Sequence, residues 1–99
     1  MNKQHYFLKL VPVRPTFAQD MTDAERAIMQ QHVAYWSEYL KKGMVIVFGP
    51  VLDPQGTFGM AVVEVDNEED VKSLVANDPA ATINHYEVYP MRAVLPPKK

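Results

Sequence analysis

Length, composition and charge limit the classes of protein that this chain can belong to. Ninety-nine residues with 47% hydrophobic content predict one compact domain over residues 1–99. The formal net charge of -2 comes from interspersed signs without a basic stripe, which argues against nucleic acid as a partner. Cysteine is absent, which excludes disulfides and thiolate chemistry. No apolar run approaches the roughly 20 residues of a membrane span and no signal-peptide pattern is present, so we expect a cytoplasmic protein without a membrane partner.

The chain begins with a predicted strand followed by a predicted loop. The segment from His5 to Val11 is rich in aromatic and branched residues and is bounded by Pro12, as expected of a strand. Residues 12–21 contain two prolines and the exposed-looking Phe17. Because the residue before a proline is pushed out of the α region, we expect an ordered loop here rather than a helix.

The segment from Thr22 to Gly43 is the clearest helix in the sequence. Thr22 and Glu25 form the pattern of a capping box, and Gly43 suits the left-handed position that ends a helix. Apolar residues recur at the spacing of one helix face, namely Ile28, Tyr35, Trp36, Tyr39 and Leu40. His32 falls inside this face, so its ring is expected to point toward the interior.

Two strands joined by a short turn follow the helix. Met44 to Phe48 is a continuous apolar run that stops at Gly49-Pro50, as expected of a strand covered on both faces. The sequence Asp53-Pro54-Gln55-Gly56 is typical of a type I turn. The segment from Phe58 to Val65 is therefore predicted to be a third strand, antiparallel to the second.

A second helix and a last strand complete the predicted domain. The segment starting at Asp66 repeats the capping pattern, and the helix is expected to end near Asn77 because Asp78 precedes a proline. Ile83 to Val94 is the last predicted strand, and Pro90 within it favours an edge position or a bulge. Residues 95–99 are expected to form a solvated tail.

The element order β-α-β-β-α-β predicts an α+β ferredoxin-like fold, in which two helices cover one face of a four-stranded antiparallel sheet. The predicted strands are apolar on both faces, with Tyr6 and Leu8 on one side of the first strand and Phe7 and Val11 on the other. The second face therefore needs a cover, and a second copy of the sheet across a two-fold axis would supply it. We expect a homodimer. Alternation in the second strand predicts that either Ile46 or Val47 faces the other sheet, while its neighbour packs against the helices.

Several landmarks together resemble the YCII-related family from about Tyr6 to Met91. They are HVAYW from His32, FGP from Phe48 with the following LD from Leu52, the predicted second helix closing on Asp78-Pro79, and EVYP from Glu87. The resemblance implies a dimeric α+β barrel and a site formed by His32 and Asp78. It also implies lyase-type or dehydrochlorinase-like chemistry, the activity associated with that family.

The chain departs from the family pattern at two positions and in one loop. Ala80 and Met91 stand where an aromatic residue often follows the two prolines, which changes the expected pocket shape. The loop of residues 12–21 is longer than expected and could place Arg14 or Phe17 over the pocket mouth.

Each candidate site residue has a functional and a purely structural interpretation. His32 could act as general base or acid with Asp78 as its partner, or it could be a core histidine with one hydrogen bond. Asp78 before a proline also commonly makes a local turn with its own backbone. The further pocket candidates are Arg14, Tyr35, Trp36, Gly49 and Pro50. Arg14 could bind an anionic group or be solvated, and Tyr35 and Trp36, like Tyr39, have the spacing of core or dimer contacts.

The sequence favours a small enzyme that needs no cofactor and no metal. His5 and His85 lie on predicted strands and form no helical metal pair with His32. The expected reaction is proton abstraction from a small aromatic or carbonyl-bearing acid, with His32 as base and Asp78 as its orienter. The alternatives are a non-catalytic dimeric module that binds a small ligand and a cofactor-independent monooxygenase-like protein.

Overall fold

The fold is a single four-stranded antiparallel sheet with helices on one face. The computed structural model describes residues 3–97. The elements are β1 (Gln4–Val11), α1 (Phe17–Asp20), α2 (Asp23–Lys41), β2 (Val45–Val51), β3 (Phe58–Val65), α3 (Glu68–Ala76), a 3₁₀ helix (Pro79–Thr82) and β4 (His85–Met91). The strand order is β2-β3-β1-β4, and every neighbouring pair is antiparallel. The predicted ferredoxin-like arrangement is confirmed.

Helix α2 begins and ends as the sequence predicts. The Thr22 side chain accepts from the backbone N–H of Glu25 at 3.1 Å, and the Glu25 carboxylate accepts from the N–H of Thr22 at 2.9 Å. Gly43 has a φ of 82°, where a Cβ would be strained. Of the predicted apolar face, Trp36 is fully buried, whereas Leu40 is exposed. Within residues 3–97, no helix combines the length and the apolar character needed to cross a membrane.

The hydrophobic core lies between the sheet and helices α2 and α3. Its buried members are Tyr6, Leu8, Trp36, Val45, Ala61, Val63, Val65, Val71 and Leu74. Alternation in β1 separates these residues from the other face, since Leu8 is buried while Phe7 is only half-buried. The core therefore fixes α2 against the inner face of the sheet, and the outer face has no cover within the described chain.

The segment before α2 differs from the sequence prediction. Residues 17–20 form the short helix α1, and Phe17 is 4% exposed rather than solvated. The proline constraint acts on the residue before each proline, and both prolines precede the helix, so they do not prevent it. The backbone carbonyl of Thr16 accepts from the N–H groups of Gln19 at 2.9 Å and Asp20 at 3.1 Å, which closes the turn.

Both edge strands of the sheet carry a proline. Strand β2 does not stop at Gly49-Pro50 but continues to Val51, because an edge strand tolerates a residue without an N–H group. Strand β4 is shorter than predicted, and Pro90 lies on this edge strand as expected. Of the predicted tail, residues 96–97 are exposed and residues 98–99 lie outside the described chain.

A bulge in β2 overturns the prediction made from its alternation. The pairing with β3 shifts between Val45 and Val47, which inserts one extra residue into the strand. Val45 is therefore the residue that packs against the helices, at 2% exposure. Ile46 and Val47 are both exposed, at 36% and 48%. The prediction that one of them packs against the helices is therefore wrong.

Candidate active site

A buried carboxylate stands at the end of α3, where the chain turns into the 3₁₀ helix. Asp78 is 2% exposed, and its Oδ1 accepts from the backbone N–H of Ala80 at 2.9 Å. This is the local turn that the sequence suggested for an aspartate before a proline. The turn leaves the rest of the carboxylate directed at helix α2 and strand β4, where three further donors meet it.

We call Asp78 and its four donors the Asp78 cluster. His32 Nδ1 lies 2.8 Å from Asp78 Oδ2 and 3.0 Å from Oδ1, and the indole Nε1 of Trp36 donates to Oδ2 at 2.9 Å. The Tyr86 hydroxyl donates to the same oxygen and accepts from Trp36 Nε1 at 3.1 Å. Together with the N–H of Ala80, these bonds surround the carboxylate with donors from α2, β4 and its own turn.

The protonation states in the Asp78 cluster follow from burial and hydrogen bonding. Burial alone raises the pKa of Asp78, but the bonds from His32, Tyr86, Ala80 and Trp36 outweigh it and hold that pKa below 3.8. The carboxylate is therefore ionised at neutral pH. Burial, followed by the bond to Asp78, raises the pKa of Tyr86 above its ordinary value of 10.0, so its hydroxyl keeps its proton.

His32 presents one ring nitrogen to Asp78 and leaves the other available. Because an ionised carboxylate can only accept, Nδ1 must carry the proton and donate it, which makes Nε2 the unprotonated nitrogen of the neutral ring. Within residues 3–97, Nε2 has no hydrogen-bond partner. Because every fully buried side-chain nitrogen or oxygen in those residues has a partner, Nε2 is not fully buried. The imidazole lines a cavity, so Nε2 is the atom that can accept a proton from a molecule bound there.

The cavity next to His32 is about 220 Å³ and is mainly apolar. It lies between α2 and the inner face of the sheet, and α1 covers one side. The lining residues are Leu10, Pro12, Phe17, Ala18, Met21, Met29, His32, Val33, Trp36, Phe48, Gly49, Pro50, Thr57, Phe58, Gly59, Met60, Ala61, Asn84 and Tyr86. An apolar pocket with a few convergent polar groups is the usual form of a small-molecule site.

The structure brings some of the candidate residues to this cavity and leaves others away from it. Trp36, Gly49 and Pro50 line the cavity beside His32. Tyr35 does not: its hydroxyl donates to the backbone carbonyl of Leu74 at 2.6 Å, which ties α2 to α3. The prediction that Tyr35 lines the pocket is therefore wrong, and its structural interpretation as a core contact holds.

Arg14 is also absent from the cavity wall, contrary to its place among the pocket candidates. Its guanidinium donates to both oxygens of Glu25 at 2.8 and 2.9 Å and to Asp20 Oδ1 at 2.8 Å. Thr16 donates to the other oxygen of Asp20 at 2.6 Å. We call these four residues the Arg14 cluster. Its donors are already paired, so Arg14 holds α1 in place while Phe17, rather than Arg14, reaches the cavity.

Sequence reasoning missed several residues of the site, of which Tyr86 is the most important. Tyr86 lies between the polar residues His85 and Glu87 in β4, a pattern that indicates an inward-facing ring. A buried tyrosine hydroxyl needs a partner, which was the available signal for a polar group nearby. Met29 lies three residues before His32 on the same helix face, which was a usable signal, whereas nothing in the sequence shows that the turn carrying Asn84 faces α2.

The other histidines lie apart from this cavity. His5 pairs with Glu64 at 2.9 Å on the outer face of the sheet, and His85 is exposed on β4. In the part of the chain that the structure describes, no three histidine or acidic side chains converge in a way that would hold a metal ion.

Comparisons with known proteins support the fold described above. One solved structure is that of 5-chloro-2-hydroxyhydroquinone dehydrochlorinase from Burkholderia phenoliruptrix AC1100, in complex with 2,5-dihydroxybenzoquinone. It is similar with a TM-score of 0.63 and 26% identity, over 88% of this chain and 93% of that chain. No curated protein matches the sequence. The family model of the YCII-related domain matches residues 6–94, and the chain therefore belongs to the YCII-related family.

Proposed function

We propose that this protein is a small lyase-type enzyme in which His32 acts as general base and Asp78 orients it. The observation that carries this proposal is the position of His32, whose Nδ1 is bound to a buried, ionised carboxylate while its ring lines an apolar cavity. Such an arrangement fixes the tautomer that can accept a proton at Nε2. The other ring nitrogen, Nε2, has no hydrogen-bond partner within residues 3–97, which leaves it able to accept a proton.

The size and polarity of the cavity favour a small ring as substrate. An apolar cavity of about 150 Å³ is enough to hold benzene, and the cavity here is about 220 Å³. The additional volume fits hydroxyl, carbonyl or halogen substituents on one ring. We therefore infer that the substrate is a small hydroxylated aromatic compound or a carbonyl-bearing acid of similar size.

The proposed reaction begins with proton transfer from the substrate to His32. Nε2 takes a proton from a hydroxyl group, or from a carbon next to a carbonyl, and the ring becomes an imidazolium. The Asp78 carboxylate stabilises this cation, and the electron pair released moves into the substrate ring system. Expulsion of a leaving group as an anion completes an elimination, with the proton returned from His32 to solvent.

The similar solved structure supports an elimination of this kind. The name of that protein states loss of the elements of HCl, which balances as one proton to a base and one chloride ion released. Its bound 2,5-dihydroxybenzoquinone is a single ring with several oxygen substituents. We therefore propose dehydrochlorinase-like chemistry for this chain, with the leaving group left open.

Chloride release from 5-chloro-2-hydroxyhydroquinone is the first test. His32→Gln and His32→Ala remove the base, and we expect the rate to fall by about 10²-fold to 10⁴-fold. His85→Gln is the matched control because His85 is an exposed histidine on β4. A His32 variant that kept the parent rate would contradict the proposal.

A second measurement separates catalysis from simple binding. Candidate ring compounds are incubated with the protein in heavy water, and the recovered compounds are analysed for deuterium at carbon. Where His32 removes a proton from carbon, exchange that depends on His32 is the expected outcome, because a bound base exchanges the proton that it removes. Tight binding without exchange or turnover would favour a ligand-binding module, and oxygen consumption with reduced quinols would favour a monooxygenase.

We also propose that the protein is a homodimer whose outer sheet faces meet. Phe7 lies opposite Val62 and Tyr89 on that face, its ring centroid 6.2 Å from that of Tyr89. Val47 and Met91 are exposed on the flanking strands. A second copy of this apolar face across a two-fold axis would remove these side chains from water.

Sedimentation tests the dimer directly. Val47→Glu places a charge opposite Val62 on the outer face, and we expect it to convert the dimer to monomer. Leu52→Glu is the matched control, because Leu52 is 80% exposed in a loop. A parent protein that sediments as a stable monomer at micromolar concentration would overturn the proposal.

A further inference from the structure

Few side chains of the cavity wall can form a hydrogen bond with a ligand. The hydrogen-bonding side chains among the lining residues are His32, Trp36, Thr57, Asn84 and Tyr86. The indole of Trp36 and the hydroxyl of Tyr86 are already bound to Asp78. Asn84 is different, because one end of its amide is fixed by the protein and the other end reaches only a weak acceptor.

The orientation of the Asn84 amide is set by the backbone of residue 13. Val13 N–H is a donor, and it lies 3.0 Å from Oδ1 of Asn84, so that end of the amide must be the carbonyl. The NH₂ group is thereby turned the other way, where its contact is Met29 Sδ at 3.6 Å. The Asn84 backbone is also held, since its N–H donates to the carbonyl of Ala80 at 2.9 Å.

A thioether sulfur is a poor partner for an amide donor. Methionine sulfur accepts hydrogen bonds only weakly, whereas a carbonyl or phenolate oxygen accepts strongly. The side chain of Met29 is also flexible and can move aside for a bound molecule. An oxygen atom in the cavity would therefore replace the sulfur as partner of Nδ2.

The position of Asn84 relative to His32 follows from helix geometry. Met29 and His32 are three residues apart on α2, so their Cβ atoms lie about 5–6 Å from each other on one face. Both residues line the cavity, and Asn84 Nδ2 touches the first of them. Asn84 Nδ2 therefore contacts the residue one helical turn before His32, and a single substituted ring in the cavity can lie against both side chains.

We propose that Asn84 determines substrate specificity by donating a hydrogen bond from Nδ2 to an oxygen of the ring. A second oxygen of the same ring then meets Nε2 of His32. This inference rests on the proposed function for the role of His32, and it narrows the substrate class to rings that carry at least two oxygen substituents. A ring with a single hydroxyl group satisfies only one of the two residues.

Direct binding of 2,5-dihydroxybenzoquinone tests this role without requiring turnover. Asn84→Asp keeps an oxygen for the N–H of Val13 but replaces the donor by a negative oxygen, and we expect affinity to fall by about 10-fold to 100-fold. Asn84→Ala removes the donor without adding a charge, and the expected loss is about 10-fold. Loss in the aspartate variant alone would indicate charge repulsion and would overturn the assignment of Nδ2 as donor.

Two controls separate recognition from structural damage. Asn67→Asp makes the same change of charge at the exposed N-cap of α3, where an aspartate serves equally well, and should leave affinity unchanged. The second control is phenol, whose single oxygen is taken by His32, so its affinity measured by NMR titration should be the same for the parent and Asn84→Asp.

The outcomes distinguish this inference from the proposed function. If Asn84→Asp weakens the binding of phenol and of the quinone equally, the role of Asn84 is structural and the inference fails. The inference also fails if the quinone affinity of Asn84→Asp is unchanged, or if the parent protein does not bind the quinone. If Asn84→Asp loses the quinone selectively while no elimination depends on His32, the inference stands and the proposed function fails. If elimination depends on His32 but not on Asn84, the proposed function stands and this inference fails.

Discussion

The Asp78 cluster and the Arg14 cluster both join helix α2 to a neighbouring segment through charged side chains, and they differ in their exposure to water. The Asp78 side chain is completely buried, whereas the side chains of Arg14 and Asp20 retain 33% and 52% exposure. A buried carboxylate depends on its donors because water cannot replace them, while exposed ion pairs are screened and partly replaceable. The Asp78 cluster should therefore fix the orientation of His32, whereas the Arg14 cluster should only hold α1 over the cavity.

Removing the carboxylate should have the largest effect. Asp78→Ala leaves the donors of His32, Trp36 and Tyr86 without their shared acceptor, and we expect a loss of about 3–5 kcal/mol in the free energy of unfolding. The measurement is urea unfolding followed by tryptophan fluorescence. Asp53→Ala, in the exposed turn between β2 and β3, is the matched control. A loss of less than about 1 kcal/mol would mean that the cluster is not the stabilising element that its burial indicates.

Removing one donor should have a smaller and more specific effect. Tyr86→Phe keeps the ring against Trp36 but deletes one hydrogen bond to Asp78, for which we expect about 1–2 kcal/mol. Because His32 remains bound to the carboxylate, turnover should fall only modestly, by about 10-fold. Tyr6→Phe is the control, since its hydroxyl donates to the side chain of the exposed Gln4, outside the Asp78 cluster, at 2.8 Å. Equal losses in both variants would contradict the special weight given to burial.

Acid and salt separate the two clusters further. The folded-state pKa of Asp78 is held below 3.8, so its contribution to stability is complete above that pH and is lost as the pH falls through the folded pKa. The bonds from Arg14 first, and from Thr22, lower the pKa of Glu25 from 4.5 to about 2, so its contribution is likewise lost between those values.

The two contributions should respond differently to ionic strength. Raising salt from about 0.1 M to 1 M shortens the screening length to about 3 Å, which weakens exposed pairs more than buried ones. We therefore expect the difference in acid stability between the parent and Glu25→Gln to shrink in salt, while that between the parent and Asp78→Asn persists. Equal loss of both differences would contradict the contrast in burial.

The same contrast explains what the sequence could and could not predict. Helix α2 follows from local signals, because the capping box and the terminal glycine act within one or two turns. The pairing of His32 with Asp78 spans 46 positions of the chain, and only the family resemblance pointed to it. The Arg14 cluster and the burial of Phe17 depend on contacts between a loop and α2, which have no periodicity to reveal them. The bulge between Val45 and Val47 changes which face of the sheet the side chains of β2 occupy. It could not be predicted, because the composition of the strand gives no sign of it.

The smallest expected effect concerns helix α1, which covers one side of the cavity. Arg14→Gln removes the guanidinium that joins Asp20 to Glu25, so the amides of α1 should exchange faster with solvent, with Gln19 and Asp20 as reporters. Because Phe17 would still favour burial, we expect ring ligands to bind only about twofold to fivefold more weakly. Arg26→Gln is the matched control, since among residues 3–97 Arg26 makes only an exposed pair with Asp23 at 3.4 Å. Weakening as large as that caused by Asn84→Asp would mean that the Arg14 cluster belongs to the site itself, and that its exposure does not limit its influence on the cavity.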